Sequence, residues 1–140
     1  MDTKDNAATV EALIQAPVEK VWDMWTQPEH IKKWNQASDD WHTTASENDV
    51  QPGGKFSSRM EAKDGSMGFD FGGTHDEVIR HQLIRSTLGD GRKMSVEFQP
   101  EGNATQIYES FDLEKQNSAE MQRFGWQSIL NNFKAYVESH

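Results

Sequence analysis

The 140-residue sequence contains no cysteine. A disulfide framework, a thiolate nucleophile and a cysteine-ligated metal site are therefore excluded, and the fold must be stabilised by non-covalent packing. Long apolar runs are also missing, and residues 1–6 are polar, so neither a signal peptide nor a membrane-spanning helix is predicted. We expect a cytoplasmic protein.

Positive charge is scarce as well. Fourteen Lys and Arg residues stand against twenty-three Asp and Glu residues, which gives a formal net charge of −9. Such a charge repels phosphate backbones and anionic lipid headgroups. We therefore predict no nucleic-acid partner and no membrane partner. A monomer or a weak homodimer is expected.

Motifs for metal binding and catalysis are missing too. The five histidines form no His-x-x-x-His pair, and the stretch His75-Asp-Glu77 lacks the cysteine pair that completes a deaminase signature. No serine lies in a Gly-x-Ser-x-Gly element, and no glycine-rich loop opens a helix in the way a phosphate-binding loop does. We predict no metal, no cofactor and no catalytic residue, and we favour a non-enzymatic protein.

Large apolar side chains are what the sequence does contain. Hydrophobic residues make up only 34% of the chain, but five Trp, seven Phe and six Met concentrate the apolar area. Each aromatic side chain can bury roughly 150–250 Å². The length suits one domain. We predict a single domain over residues 1–140, with residues 1–8 as a frayed leader and a core large enough to line a cavity.

The clearest periodic stretch lies near the carboxyl end. Apolar residues there recur at steps of three and four, which predicts one apolar stripe on a long helix over residues 118–139. Asn117, with Glu120 three residues later, resembles a capping box at its start. The stripe consists of Trp126, Ile129, Leu130, Phe133 and Val137.

Two shorter helices are predicted near the amino end. Val18, Val21, Trp22 and Trp25 have helical spacing, and Pro17 before them suits a first helical turn. The proline at position 28 ends this helix, and a second helix is predicted over residues 29–34.

The remaining sequence alternates between apolar and polar residues. Residues 9–16 predict a first strand, and residues 43–113 predict about six more, joined by turns such as those at 89–91 and 100–103. Gly72-Gly73 predicts a bulge or a bend that curves the sheet. One apolar row runs through Phe56, Ser58, Met60, Ala62, Met67, Phe69 and Phe71.

These elements together predict an α+β domain. Six to seven antiparallel strands would form a curved sheet wrapped around the long C-terminal helix, with the two short helices after the first strand. The apolar stripe of the long helix must be covered, and the concave face of such a sheet is the simplest cover.

Three groups of residues carry a resemblance to a known family. The chain resembles the START-like (SRPBCC, helix-grip) superfamily and, within it, the activator of heat-shock protein 90 ATPase-like family in its bacterial single-domain form. The groups are APVEKVWDMWT at 16–26 with Lys33-Trp34, PGGKF at 52–56 with MGFDFGGT at 67–74, and DGR at 90–92 with QRFGWQSILNNF at 122–133.

The resemblance implies a cavity between the sheet and the long helix. Its lining is then expected to come from the inward rows of the strands and from the helix stripe. His75 stands where the resemblance leads us to expect an aromatic residue, which makes the predicted cavity more polar. The predicted ligand-binding residues are Trp34, Phe56, Met60, Phe69, Phe71, His75, Glu109, Trp126, Leu130 and Phe133. The alternative is that the aromatic and methionine side chains pack solidly as a core.

The helix stripe and its neighbourhood are expected to divide their roles. Val137 and Ile129 are predicted to anchor the helix, while Trp126, Leu130 and Phe133 face the cavity. Gly125 would permit close approach of another backbone or of a ligand.

Glu109 and His75 carry most of the chemical information, because a carboxylate or an imidazole in an apolar row needs a partner or a wet cavity. They could act as acid and base, or orient a polar group of a ligand. The alternatives are that Glu109 pairs with Arg59 or Arg85, and that His75 is a hydrogen-bonded strand residue near the bulge.

Three functions remain open at this point. The first is binding of a small apolar or amphipathic molecule without catalysis. The second is a cyclase or hydrolase-like enzyme that uses Glu109 and His75. The third is a protein-interaction module that resembles the heat-shock protein 90 activators and has a protein partner. The superfamily hosts lipid carriers, cyclases, hormone receptors and co-chaperone domains, so its fold does not decide among them.

Overall fold

A computed structural model describes residues 6–36 and 38–140. The predicted α+β helix-grip architecture is confirmed: seven strands form one sheet that curls around a long C-terminal helix, and two short helices follow the first strand. In chain order the elements are β1 (Ala7–Ile14), α1 (Val18–Thr26), α2 (Pro28–Trp34), β2 (Trp41–Asn48), β3 (Lys55–Ala62), β4 (Gly68–Ile79), β5 (Leu83–Leu88), β6 (Lys93–Glu101), β7 (Ala104–Asp112) and α3 (Ala119–Glu138).

The sheet is antiparallel throughout, in the order β1-β7-β6-β5-β4-β3-β2. Strands β2 to β7 follow one another as hairpins, whereas β1 pairs with the last strand, for example Val10 opposite Glu109. The pairing register shifts between Thr43 and Ala45 and again between His75 and Glu77. Such bulges bend a strand and increase its twist.

The two glycines that predicted a bulge play a different part. Gly72 and Gly73 pair regularly with their neighbours, and the irregularity in β4 lies three residues later, at Asp76. A Cβ atom on Gly72 would collide with the carbonyl oxygen of Phe56, and one on Gly73 would collide with that of Thr87. The glycines therefore allow the backbones of β3 and β5 to approach β4 closely.

Several predicted boundaries need correction at the chain's amino end. β1 begins at Ala7 and ends at Ile14, so residues 7 and 8 belong to the sheet instead of a frayed leader. Ala8 is buried and pairs with Phe111, a contact that the local sequence could not reveal. Residues 1–5 of the predicted leader lie outside the described residues.

The helix starts also differ from the prediction. Pro17 is the N-cap of α1 instead of a residue of its first turn, and Pro28 begins α2 instead of only ending α1. Proline suits the first helical position because its missing N–H would be unsatisfied there in any case. Similarly, the strand β6 includes Pro100, and the following turn is made by residues 102 and 103, with Gly102 at φ +64°.

Ser118 caps α3, not Asn117. The Ser118 Oγ accepts a hydrogen bond from the backbone N–H of Met121 at 3.1 Å, which satisfies one of the free donors of the first turn. Asn117 donates instead to the Glu114 carboxylate, from its backbone N–H at 2.6 Å and from its side-chain amide at 2.9 Å.

The solid part of the core lies where the second half of α3 meets β1, α1 and α2. Leu130, Phe133 and Val137 are fully buried there. The Phe133 ring lies 4.9 Å from the rings of both Trp25 and Trp34, which stack on each other at 5.0 Å.

Within the described ranges, no helix is long and apolar enough to cross a membrane.

Candidate functional site

A cavity of about 470 Å³ lies between the first half of α3 and the concave face of the sheet. Its lining comes from α1, α2, all strands from β2 to β7 and the first three turns of α3. Small-molecule sites in proteins typically have volumes of roughly 300–1,000 Å³ and mostly apolar walls. The cavity is thus of a size that accepts a small organic molecule.

Eight of the ten predicted lining residues lie at this cavity. Leu130 and Phe133 do not: both are 0% exposed and belong to the solid core. Ile129, predicted as an anchor, lines the cavity instead. The eight are Trp34, Phe56, Met60, Phe69, Phe71, His75, Glu109 and Trp126.

The position of Leu130 and Phe133 has a simple physical reason. Helix spacing tells which residues share a stripe, but not what lies opposite each turn of the helix. Trp126 and Ile129 face the curled strands, where space remains, whereas Phe133 meets the indole rings of Trp25 and Trp34.

Sequence reasoning missed most of the polar lining. Ser58 lies on the predicted inward row but is not among the predicted site residues, and Ser86 has the corresponding inward position on β5, opposite His75. Their place in the strand alternation was the signal that could have found them. The other polar lining residues not predicted are Asn35, Ser46, Glu47, Asn48, Arg92, Glu114, Asn117 and Gln122.

Gly125 lines the cavity without the predicted close approach. A Cβ atom added there would meet nothing within 4 Å outside its own helical neighbourhood. The residue borders open space in the first half of α3.

Glu109 is the most unusual residue of the site. It lies on β7 between the buried side chains of Ile107 and Phe111, and only 6% of its surface is exposed. Burial raises the pKa of its carboxyl group to about 8, since an ionised carboxylate is poorly solvated among apolar walls. The group is thus mostly protonated at neutral pH.

The predicted arginine partners of Glu109 bind elsewhere. Arg59 pairs with Glu61 at 3.1 Å and with Asp70 at 3.6 Å. Arg85 pairs with Glu77 at 3.6 Å. Among residues 6–36 and 38–140, no group lies within hydrogen-bonding or ion-pairing distance of the Glu109 carboxyl. That carboxyl is therefore available to a ligand.

His75, in contrast, is fully engaged. Its Nδ1 lies 2.9 Å from the Ser86 Oγ and its Nε2 lies 2.7 Å from the Asn48 Oδ1. The Asn48 Nδ2 donates to the Thr26 carbonyl, so Oδ1 must be the acceptor for His75. Nε2 therefore carries the proton, and Nδ1 accepts from the Ser86 hydroxyl.

The surroundings of His75 favour its neutral form. Burial lowers the pKa of the imidazole, and this effect exceeds the opposing influence of Asp49 and Asp76. The ring stacks on Phe56 at a centroid distance of 4.7 Å. His75 is thus a hydrogen-bonded strand residue next to a bulge, as in the alternative stated above, and its ring lies at the cavity wall.

Trp126 forms a rigid part of the wall. Its ring stacks on Phe111 at a centroid distance of 4.0 Å with an interplanar angle of 7°, and it meets the Phe71 ring in an edge-to-face arrangement at a centroid distance of 6.1 Å. Such contacts hold an aromatic face in one orientation before any ligand arrives.

Two apolar lining residues of the cavity are exposed, and two further exposed apolar residues lie outside the lining. Phe69 is 47% exposed and packs on Trp41, and Met121 is 64% exposed on the first turn of α3. Phe124, one turn further along the helix, is 74% exposed. Met67, predicted to share the inward row, precedes β4 and is also exposed.

Metal ligands are not gathered at the cavity or elsewhere in the described part of the chain. No group of three or more His, Asp or Glu side chains there could hold a metal ion.

Comparison with known proteins identifies relatives of both sequence and fold. A sequence profile described as activator of Hsp90 ATPase homolog 1-like protein matches residues 15–138. The solution NMR structure of the AHSA1-like protein from Aeromonas hydrophila is 44% identical, covers 95% of this chain and 92% of that chain, and superimposes with a TM-score of 0.89. No curated protein matches the sequence.

Two further solved structures extend the comparison. Chr148 from Cytophaga hutchinsonii is 53% identical over 94% of this chain and 91% of that chain, with a TM-score of 0.81. NE0264 from Nitrosomonas europaea is 21% identical over 99% and 97% of the two chains, with a TM-score of 0.85, and shows the fold alone.

Proposed function

The chain belongs to the family of activator of Hsp90 ATPase homolog 1-like proteins, and we propose that it binds a small apolar or amphipathic molecule in the cavity under α3. One observation carries the proposal: the interior holds an open space of about 470 Å³ with mainly aromatic and aliphatic walls, instead of a filled core. Transfer of apolar surface from water into such a space is favourable by about 25 cal/mol per Å².

The walls favour binding because they are pre-formed. Trp126 is held by Phe111, and His75 is held by two hydrogen bonds and by Phe56. A ligand entering such a site orders few side chains, and this lowers the entropic cost of association.

A cyclase or hydrolase that uses Glu109 and His75 is the weaker alternative. Both ring nitrogens of His75 are already hydrogen-bonded, to Ser86 and Asn48, so a general base at this position would first have to release a partner. Without His75, the acid and base pair is reduced to one proton-transfer group, the Glu109 carboxyl.

A chaperone-type interaction is the second candidate function, and the exposed apolar side chains of Met121 and Phe124 on α3 favour it. Exposed apolar patches commonly mark interaction sites. Co-purification of the tagged protein with its host's heat-shock protein 90 would support this function, and loss of the complex in Phe124→Ser would locate the contact. Absence of any complex would remove this candidate.

A cavity-blocking variant tests the ligand-binding proposal. Gly125→Leu places a side chain where a Cβ meets only open space, whereas Asn131→Leu places the same side chain on the exposed face of the same helix. We expect the neutral fluorescent probe N-phenyl-1-naphthylamine to bind the wild type and Asn131→Leu equally, and to bind Gly125→Leu at least about tenfold more weakly.

Equal binding of the probe to all three proteins, or no binding to any, would contradict the proposal. Independently of the probe, native mass spectrometry of the protein purified from its own host would identify a co-purifying molecule by its mass.

A further inference from the structure

The carboxyl group of Glu109 is a buried polar group aimed into an apolar cavity. It is 6% exposed, and its neighbours across the sheet are the apolar side chains of Val10 on β1 and Val96 on β6. Within the described ranges, no donor or cation satisfies it. Its oxygens are not among the fully enclosed, unpaired side-chain atoms of the described residues, so they reach the cavity space, where a ligand group can pair with them.

On the basis of the proposed function, we propose that the ligand is an amphipathic amine whose ammonium group pairs with the Glu109 carboxylate while its apolar part fills the cavity. An ammonium and a carboxylate form a charge-assisted hydrogen bond, which is roughly twice as strong as a neutral one.

The charges at the cavity favour a cation over an anion. Three carboxyl groups are among its described lining residues, those of Glu47, Glu109 and Glu114. The one guanidinium among them, that of Arg92, binds Asp90 at 2.7 Å. A ligand carboxylate would therefore meet like charge at Glu47 and Glu114, and the net charge of −9 would oppose its approach.

The aromatic walls favour a cation as well. Phe111, two residues beyond Glu109 on the same face of β7, stacks on Trp126, and Trp126 lines the cavity. Aromatic faces attract ammonium groups, most strongly where water is excluded. The carboxyl group and the aromatic faces near it therefore both favour an ammonium group.

Pairing with an ammonium requires Glu109 to ionise. Because its pKa is about 8, the carboxyl is mostly protonated at pH 7, and this proton must leave for the solvent when the ion pair forms. The bound amine keeps its own proton, so amine binding should release ~0.9 proton per ligand at pH 7. A neutral ligand leaves the carboxyl protonated and releases none.

Isothermal titration calorimetry of the full chain tests this inference with n-decylamine, n-decanol and n-decanoic acid. Titrations at pH 7 in phosphate and in Tris, which differ in ionisation enthalpy, give the number of protons released. We expect the amine to bind at least about tenfold more tightly than the alcohol and the acid, and only the amine to release close to one proton.

Two variants complete the test. Glu109→Gln should lose the tenfold preference for the amine and its proton release while it still binds n-decanol. Glu97→Gln makes the same charge change on the outer face of β6 and should behave as the wild type does.

The outcomes separate the two proposals. If the alcohol binds as tightly as the amine, or if the amine releases no proton from the wild type, the amine assignment is wrong and apolar ligand binding stands. If none of the three probes binds, both proposals are wrong. The wild-type titrations decide these outcomes even if Glu109→Gln does not fold.

Discussion

The two halves of α3 face different interiors. From residue 119 to residue 129 the inward side chains border open space, and Trp126 and Ile129 are only partly buried. From residue 130 onward the inward side chains of Leu130, Phe133 and Val137 are fully buried. The stripe continues from Trp126 and Ile129 into the second half, so the difference between these neighbouring turns comes from what lies opposite: two short helices fill one end of the sheet, and the curled strands leave the other end open.

This contrast shows how one fold can combine a solid core with an internal cavity. The solid half provides the packing that holds the helix, and the open half is free to hold polar groups such as Glu109 that a filled core would exclude.

The largest effect should come from Glu109 as the pH rises. Its folded pKa of about 8 lies above its ordinary value of 4.5, so the folded state keeps a proton that the unfolded state loses between these values. Stability therefore falls as the pH rises through this range. Relative to Glu109→Gln, the wild type should lose about 4 kcal/mol of unfolding free energy between pH 5 and pH 9.

Urea unfolding followed by circular dichroism at pH 5, 7 and 9 measures this difference. Because other groups titrate equally in both proteins, the difference between wild type and variant isolates Glu109. Curves that stay parallel across the pH range would show that the carboxyl is not held in an apolar environment.

A neighbouring pair of residues compares the two halves directly. Leu130→Ala removes a fully buried side chain from the solid half, and we expect a loss of about 3 kcal/mol. Ile129→Ala removes a side chain that borders the cavity, and a loss of about 1 kcal/mol is expected because fewer contacts disappear. Urea midpoints give both values, and equal losses would mean that the cavity side is as tightly packed as the core.

His75 should change the unfolding free energy less than Glu109 does, and in the opposite direction with pH. Because burial lowers the pKa of its imidazole below the ordinary 6.5, the unfolded state binds a proton more readily and stability falls as the pH drops below about that value. His75→Gln cannot take up this proton. Wild type and variant should therefore converge or cross in unfolding free energy between pH 7 and pH 5, and a constant difference would argue against a buried neutral imidazole.

The smallest effect is a gain at the open half. Gly125→Ala replaces a helical glycine at a site where the added Cβ meets nothing within 4 Å. We expect a stabilisation of about 0.5–1 kcal/mol from helix propensity. A thermal melt measures it, and a destabilised variant would mean that the space beside Gly125 is occupied.

The fold was predictable because its signals are local. Alternating strands, turn glycines and the three-four spacing of α3 each act over a few residues, and together they determined the element order. The start of β1 was missed because Ala7 and Ala8 carry little apolar signal and are recognisable as strand residues only through their pairing with β7.

The site was less predictable, since it depends on which elements meet. The strand rows indicated His75 and Glu109, and both line the cavity. Whether Glu109 pairs with Arg59 or Arg85 could not be read from the rows, because it depends on the direction in which each side chain points. Nothing in the spacing of Leu130 and Phe133 indicated that α1 and α2 would cover them.

The pairing of the first strand with the last has a consequence for synthesis on the ribosome. β1 leaves the exit tunnel long before β7 and α3 exist, and its end is later fixed by the Gln15 N–H, which donates at 2.8 Å to Glu138, 123 residues further along. At typical translation rates of 5–20 residues per second, β1 waits roughly 5 to 20 seconds for its partner. The nascent chain thus exposes an unpaired strand until β7 emerges, and the domain can close only after α3 has followed.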